Sequence, residues 1–107
     1  MRAVIAGPDN GELGPALEGE GIETSRVEGI ASRPALEEAG IHEADLFVLT
    51  DVGQATAIPV AKDVNEALKV VVYDEDTIPE FARGQADLIV DPNLLAPETV
   101  AEELVDS

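Results

Sequence analysis

The segment with the strongest chemical character is Gly7-Pro-Asp-Asn-Gly11-Glu-Leu-Gly14, a glycine-rich turn between an apolar run and a stretch of helical periodicity. Glycine lets a backbone approach a bound group closely, and free N–H groups at a helix start attract anions, so the segment suits a phosphate. Gly11 and Gly14 fit the second half of the dinucleotide spacing G-x-G-x-x-G, but its first glycine falls on Asp9, whose charge opposes a pyrophosphate. Gly7 and Asn10 would add backbone N–H groups. Thr50, Asp51 and Gly53 would form the opposite wall as hydroxyl, carboxylate and close-approach backbone, and Arg33 is the best available cation. Glu28 follows Gly11 at close to the ~20 residues at which an acid accepts hydrogen bonds from a ribose. Asp9 and Asp51 together disfavour a doubly charged group unless Mg²⁺ or K⁺ accompanies it. The plainer reading of the same residues is a Gly-rich turn beside a solvated Glu28.

Other chemistry finds little support. The lone His42 lies in the polar turn Gly40-Ile-His-Glu43 and reads as an exposed turn residue rather than a general base. No Ser or Thr has the local context of a nucleophile, no Asp, His and Glu share metal-ligand spacing, and the absence of Cys excludes thiol chemistry. Asp74-Glu75-Asp76 reads as a solvated acidic loop that attracts cations. These residues point to a non-catalytic chain with no catalytic or metal site.

The 107 residues suit one domain over 1–107, and 45% hydrophobic residues spread along the chain allow a folded core. Twenty-three acidic residues oppose six basic ones, giving a formal charge of −17. Nucleic acid and anionic membrane surfaces are therefore poor partners. Self-repulsion of this size opposes compaction in dilute buffer, whereas molar salt shortens the Debye length to roughly 3 Å and removes most of it. Only two lysines and three aromatics add to the expectation of a halophilic protein. No stretch approaches a membrane span and no charged leader precedes an apolar run, which points to the cytoplasm.

Five β-branched apolar runs must position these residues: Arg2 to Ala6, Ile22 to Val27, Asp45 to Thr50, Lys69 to Tyr73 and Asp87 to Val90. Helical stretches alternate with them: one capped by Asn10 and stopping at Gly19 or Gly21, one opened by Ser32 and Pro34 and ended by Gly40, one from Ala55 to Asn65, a short turn from Ile78 to Ala82, and one from Pro97 to Val105. Strict alternation predicts a three-layer α/β fold, a doubly wound five-stranded parallel sheet of order 2-1-3-4-5. Ligands of such sheets lie beyond the carboxyl ends of the strands, where winding reverses between the first and third. Phe47 is expected in the core. The apolar stripe Leu94, Leu95, Val100, Leu104 and Val105 serves either as cover for the sheet or as a face for self-association.

Several motifs resemble the N-terminal domain of the RCK (TrkA-type) potassium-transport regulators. They are Leu36-Glu-Glu-Ala-Gly-Ile41, Glu43-Ala-Asp45, Thr50-Asp51, Phe81-Ala-Arg-Gly-Gln-Ala-Asp87 and Val90-Asp-Pro-Asn-Leu-Leu95, in that order. The resemblance implies a Rossmann-like regulatory module, a nucleotide ligand such as NAD or an adenine nucleotide, and a homodimer. One βα unit of that family, ahead of Gly29, is missing, which removes part of the seat for adenosine. The response-regulator receiver shares the strand order and would place its phospho-accepting Asp at Asp51. It also needs an acidic pair directly after the first strand, where Gly7-Pro8 stands, and a Lys after the fifth, where Asp91-Pro92 stands. A small-molecule sensor and an interaction domain that kept the fold but lost the site are thus the two functional expectations.

Overall fold

The computed structural model describes residues 1–8, 12–27 and 29–106. Its five strands are β1 (Arg2–Ala6), β2 (Glu23–Val27), β3 (Leu46–Leu49), β4 (Lys69–Tyr73) and β5 (Leu88–Val90). All pair in parallel in the order β2-β1-β3-β4-β5. The helices are α1 (Leu13–Gly19), α2 (Arg33–Glu38), α3 (Ala57–Val64), α4 (Glu80–Arg83) and α5 (Pro97–Asp106).

Side-chain alternation along the strands makes two cores. Val4, Phe47, Leu49, Val70 and Val72 face α2, α3 and α4 together with Leu36, Ile58 and Ala82. Ala3, Ile5, Val48, Val71 and Tyr73 face α1 and α5 with Leu13, Leu17, Val100 and Leu104. A sheet covered on both sides needs apolar residues on both, which is why β1, β3 and β4 read as near-continuous Val, Ile and Leu. Phe47 is fully buried. The expected doubly wound architecture is the one observed.

Local boundaries moved for identifiable reasons. The residue that caps α1 is Glu12, in the left-handed region at φ 59°, with no side-chain bond. Asn10, the expected cap, lies outside the described residues. Ser32 does cap α2, accepting from the Ala35 N–H at 3.4 Å, and Gly40 at φ 90° ends that segment. The Ala55 to Asn65 stretch divides: Val52–Gln54 forms a separate 3-10 turn, capped by Asp51, and α3 begins only at Ala57. Pro59 is then the third residue of the helix, where its missing N–H costs nothing. The fourth helix starts at Glu80 because Pro79 takes the extended conformation ahead of it. Within the C-terminal stripe, Val100 and Leu104 cover the sheet, whereas Leu94, Leu95 and Val105 stay exposed.

Candidate functional site

The crevice predicted from strand order lies between the carboxyl ends of β1 and β3. Gly7 leaves β1 at φ +103°, a conformation that L side chains rarely adopt. A Cβ at Gly7 would meet Thr50 Oγ1 at 2.5 Å and the Asp51 nitrogen at 3.0 Å. The two chain ends are therefore pressed together, and glycine is needed there for both torsion and space. The Thr50 hydroxyl donates to the Pro8 carbonyl at 2.6 Å and lies 3.2 Å from that of Ala6, while the Thr50 N–H donates to Ala6 at 2.9 Å. Thr50 thus pins the turn after β1 to the end of β3.

The wall formed by β3 and its following turn is likewise internally satisfied. Asp51 accepts from the Gly53 N–H at 2.9 Å through Oδ1, closing an Asx-type turn. Asp74 Oδ2, at the end of β4, accepts from the Val52 N–H at 2.8 Å, and Oδ1 accepts from the Asp76 N–H at 3.1 Å. The Gln54 and Ala55 N–H groups donate to the Asp51 and Val52 carbonyls. Gln54 in turn accepts, through Oε1, the Ala31 N–H at 2.7 Å, which ties this wall to the loop after β2. An anion cradle depends on several N–H groups left for the ligand; here Thr50, Val52, Gly53, Gln54 and Ala55 have given theirs to the protein.

Of the nine residues picked out by their type and spacing, Gly7, Thr50, Asp51 and Gly53 come together at the crevice. Gly14 is buried in the first turn of α1. Asn10, Gly11 and Glu28 lie outside the described residues. Arg33 is directed elsewhere: its guanidinium pairs with Asp63 of α3 at 3.3 Å and with Glu37 at 4.0 Å, both exposed contacts. The cation at the mouth is Arg26, which donates to the Gly7 carbonyl. Arg26 pairs in register with Ile5, one step before the end of β2, so the strand assignment alone could have placed it there. Gln54 and Asp74 also escaped the sequence reading. Asp74 carried a signal, an acid at the end of a central strand, but it serves the fold by holding a backbone N–H rather than standing as part of a solvated loop.

His42 is exposed in the 3-10 turn Ile41–Glu43 and contacts Glu37 at 3.1 Å, far from the crevice at the opposite end of the strands. Among the described residues no group of three His, Cys, Asp or Glu is placed to hold a metal ion. No helix among them is long and apolar enough to cross a membrane.

Residues 3–104 match a protein family described as of unknown function (DUF7126). No curated protein matches the chain in sequence. Among solved structures, an orphan response regulator of H. pylori superposes with a TM-score of 0.73 at 18% identity, covering 98% of this chain and 94% of that one. An atypical orphan response regulator, described as having a phosphorylation-independent regulatory mechanism, gives 0.73 at 18%, with 99% and 93% covered. A protein described as a pilus assembly protein from Burkholderia thailandensis gives 0.71 at 16%, with 99% and 96% covered. At such identities the likeness is one of fold alone, the doubly wound parallel sheet. Kinship with the RCK-type regulators rests on the sequence motifs alone.

Proposed function

Since the chain belongs to the DUF7126 family, whose function is open, we propose from its geometry that it is a non-catalytic regulatory module that works as an interaction domain, with its crevice closed to ligands. One observation carries this reading: the Thr50 hydroxyl fills the space above Gly7 and bonds to the Pro8 carbonyl at 2.6 Å. A nucleotide phosphate held between these two chain ends would need free N–H groups on the β3 side. The neighbouring donors of Val52 and Gly53 are committed to Asp74 and Asp51. Helix α1, at seven residues, adds only a small dipole at its start. Phosphoryl transfer to Asp51 is equally poorly served. Its Oδ1 holds the Gly53 N–H, and Asp91-Pro92 follow β5 where a receiver carries its Lys.

The resemblance to RCK-type domains would add NAD or an adenine nucleotide as ligand, and the salt-rich cytoplasm suggested by 23 acidic residues against six basic ones sets the medium for the test. Backbone amide shifts are followed in molar KCl as ATP, ADP, AMP and NAD are added with and without Mg²⁺, and as acetyl phosphate is added with Mg²⁺. The expected result is no shift at Gly14, Thr50 or Gly53 at millimolar ligand, and no change in melting temperature. Saturable shifts at those three residues with a rise in melting temperature would replace this reading by the sensor, because a ligand that binds only the folded state must stabilise it.

A further inference from the structure

Edge strand β2 forms the floor of a cleft. Helix α1 packs in the core on one face of the sheet and α2 in the core on the other, and their last turns stand on either side of the strand. The open recess between them, about 530 Å³, is lined by Glu18 of α1, by Thr24 and Ser25 of β2, and by Glu38 and Gly40 at the end of α2, with Arg2 and Glu23 at its base. The backbone of this floor is open on its outer side. The Glu23 N–H donates to the Met1 carbonyl at 3.0 Å, so in the parallel ladder Glu23 and Ser25 turn their backbone groups to β1 and Thr24 turns its own outward. An N–H and a carbonyl left open on an edge form a template for an added strand.

The walls of the cleft are acidic. Arg2 is engaged with Glu23 and Glu43, at 3.2 Å each. Glu18 accepts from the Thr24 hydroxyl at 3.1 Å through one oxygen, and Glu38 is exposed with no hydrogen bond or ion pair among the described residues. Thr24 pairs in register with Ala3 of the α1-side core, and Ser25 with Val4 of the α2-side core. Side chains of an added strand alternate in the same way, so neighbouring residues point to opposite walls. A cation at one position reaches Glu18, and a cation at the next reaches Glu38. This chain has six Lys and Arg, no two of them adjacent, and a second copy brings its own charge of −17. The complementary strand therefore belongs to a different, basic protein.

We infer that this cleft takes an extended basic segment of a partner protein as a sixth strand beside β2, with two adjacent Lys or Arg residues held between Glu18 and Glu38. The inference rests on the interaction-domain reading and names the chemistry of the partner. Backbone pairing at Thr24 supplies affinity, and the two carboxylates supply selection. Salt separates these contributions, because KCl screens charge contacts at an exposed site and leaves backbone pairing in place. Binding is therefore tightest at the lowest KCl concentration at which the chain is folded.

Amide shifts and hydrogen exchange of the full chain are followed at that KCl concentration as the end-blocked peptide Thr-Val-Lys-Arg-Val-Thr is added. Its backbone N-methylated form and Thr-Val-Glu-Glu-Val-Thr serve as comparisons. The basic peptide should give saturable shifts at Thr24, Ser25 and Gly40 and slow the exchange of the Thr24 N–H; the other two should not. Glu38→Lys should raise its dissociation constant by roughly fivefold or more, since reversal replaces an attraction with a repulsion. Glu80→Lys, the same charge change on α4 beside the opposite sheet edge, should leave it nearly unchanged. Thr24→Pro removes the outward N–H, a change that an edge strand tolerates, and should abolish the shifts. Should it lower the melting temperature, Glu38→Lys decides. No saturable shift with millimolar basic peptide, equal binding by the Glu38→Lys and Glu80→Lys chains, or undiminished binding of the N-methylated peptide overturns the inference. The nucleotide titration of the crevice reads Gly14, Thr50 and Gly53 instead, so each result stands without the other.

Discussion

Thr50 Oγ1 stands 2.5 Å from the point that a Cβ on Gly7 would occupy, and its hydroxyl is bonded to the Pro8 carbonyl one residue further along. The end of β1 and the end of β3 are thereby joined by a contact that tolerates no larger residue at Gly7.

Gly7→Ala should accordingly destabilise the fold by about 2 kcal/mol or more, since a non-glycine residue held in a sparsely populated backbone region costs of order 1–3 kcal/mol before any clash is counted. Thr50→Ala alone should cost about 1 kcal/mol through the lost hydrogen bonds. The double variant should be better than the sum by roughly 0.5 kcal/mol or more, because removing Oγ1 relieves the contact that the new methyl makes. Urea unfolding in molar KCl measures all three. Strict additivity would show that the two residues do not share the space.

Asp74 offers a second test, since it reaches from β4 to the Val52 N–H at 2.8 Å and is half-buried. Asp74→Ala leaves that N–H without its acceptor and should cost about 1–2 kcal/mol. Removing one carboxylate from a chain of net charge −17 works in the opposite direction by relieving repulsion. Molar KCl suppresses that relief, so the loss should be larger there than in dilute buffer. Asp76→Ala, which deletes only an exposed carboxylate, should stay within about 0.5 kcal/mol. Equal effects at the two positions would deny Asp74 its bridging role.

The strands and their order were legible because β1, β3 and β4 are buried on both faces and leave unbroken apolar runs. The crevice followed from that order, and with it Gly7, Thr50, Asp51 and Gly53. What the sequence did not disclose is how polar groups divide their bonds. Arg33 and Arg26 both lie near the end of β2, yet Arg33 turns to Asp63 of α3 and Arg26 to the Gly7 carbonyl, a choice made by helix packing and invisible to spacing. Asp51 matched the pattern of an acid lining a ligand crevice, but the Gly53 N–H two residues on makes it a turn cap. The apolar stripe at the C-terminus contained both Leu104, 2% exposed, and Leu94, 79% exposed, a distinction set by where α5 meets the sheet.

The two phenylalanines separate core from surface. Phe47 is fully buried between β1 and β4, and Phe47→Ala should cost about 3–5 kcal/mol, enough to unfold a marginal domain. Phe81 is 58% exposed and packs in neither core, so Phe81→Ala should change monomer stability by no more than about 0.5 kcal/mol. Thermal unfolding followed by circular dichroism distinguishes them. A large loss at Phe81 would mean that α4 closes more tightly on the sheet than its exposure indicates.

Salt should act on the whole molecule. Among the described residues, the ion pairs of Arg2 with Glu23 and Glu43, and of Arg33 with Asp63, are surface contacts with side chains half or more exposed, each worth about 0–1 kcal/mol at most. Added KCl weakens these few attractions. It also screens the repulsion among an excess of seventeen negative charges in a globule whose radius of gyration is 12.2 Å. That radius is close to the Debye length of roughly 10 Å at decimolar salt, so repulsion acts across the molecule in dilute buffer and is confined to nearest neighbours in molar salt. Repulsion, being the larger sum, decides the sign, and the melting temperature should climb steeply between dilute buffer and molar KCl. The comparison is made at low protein concentration, where any self-association contributes least. Replacing KCl by an uncharged osmolyte of equal osmolarity should give a smaller rise. Equal melting temperatures in dilute buffer and molar KCl would refute the electrostatic account.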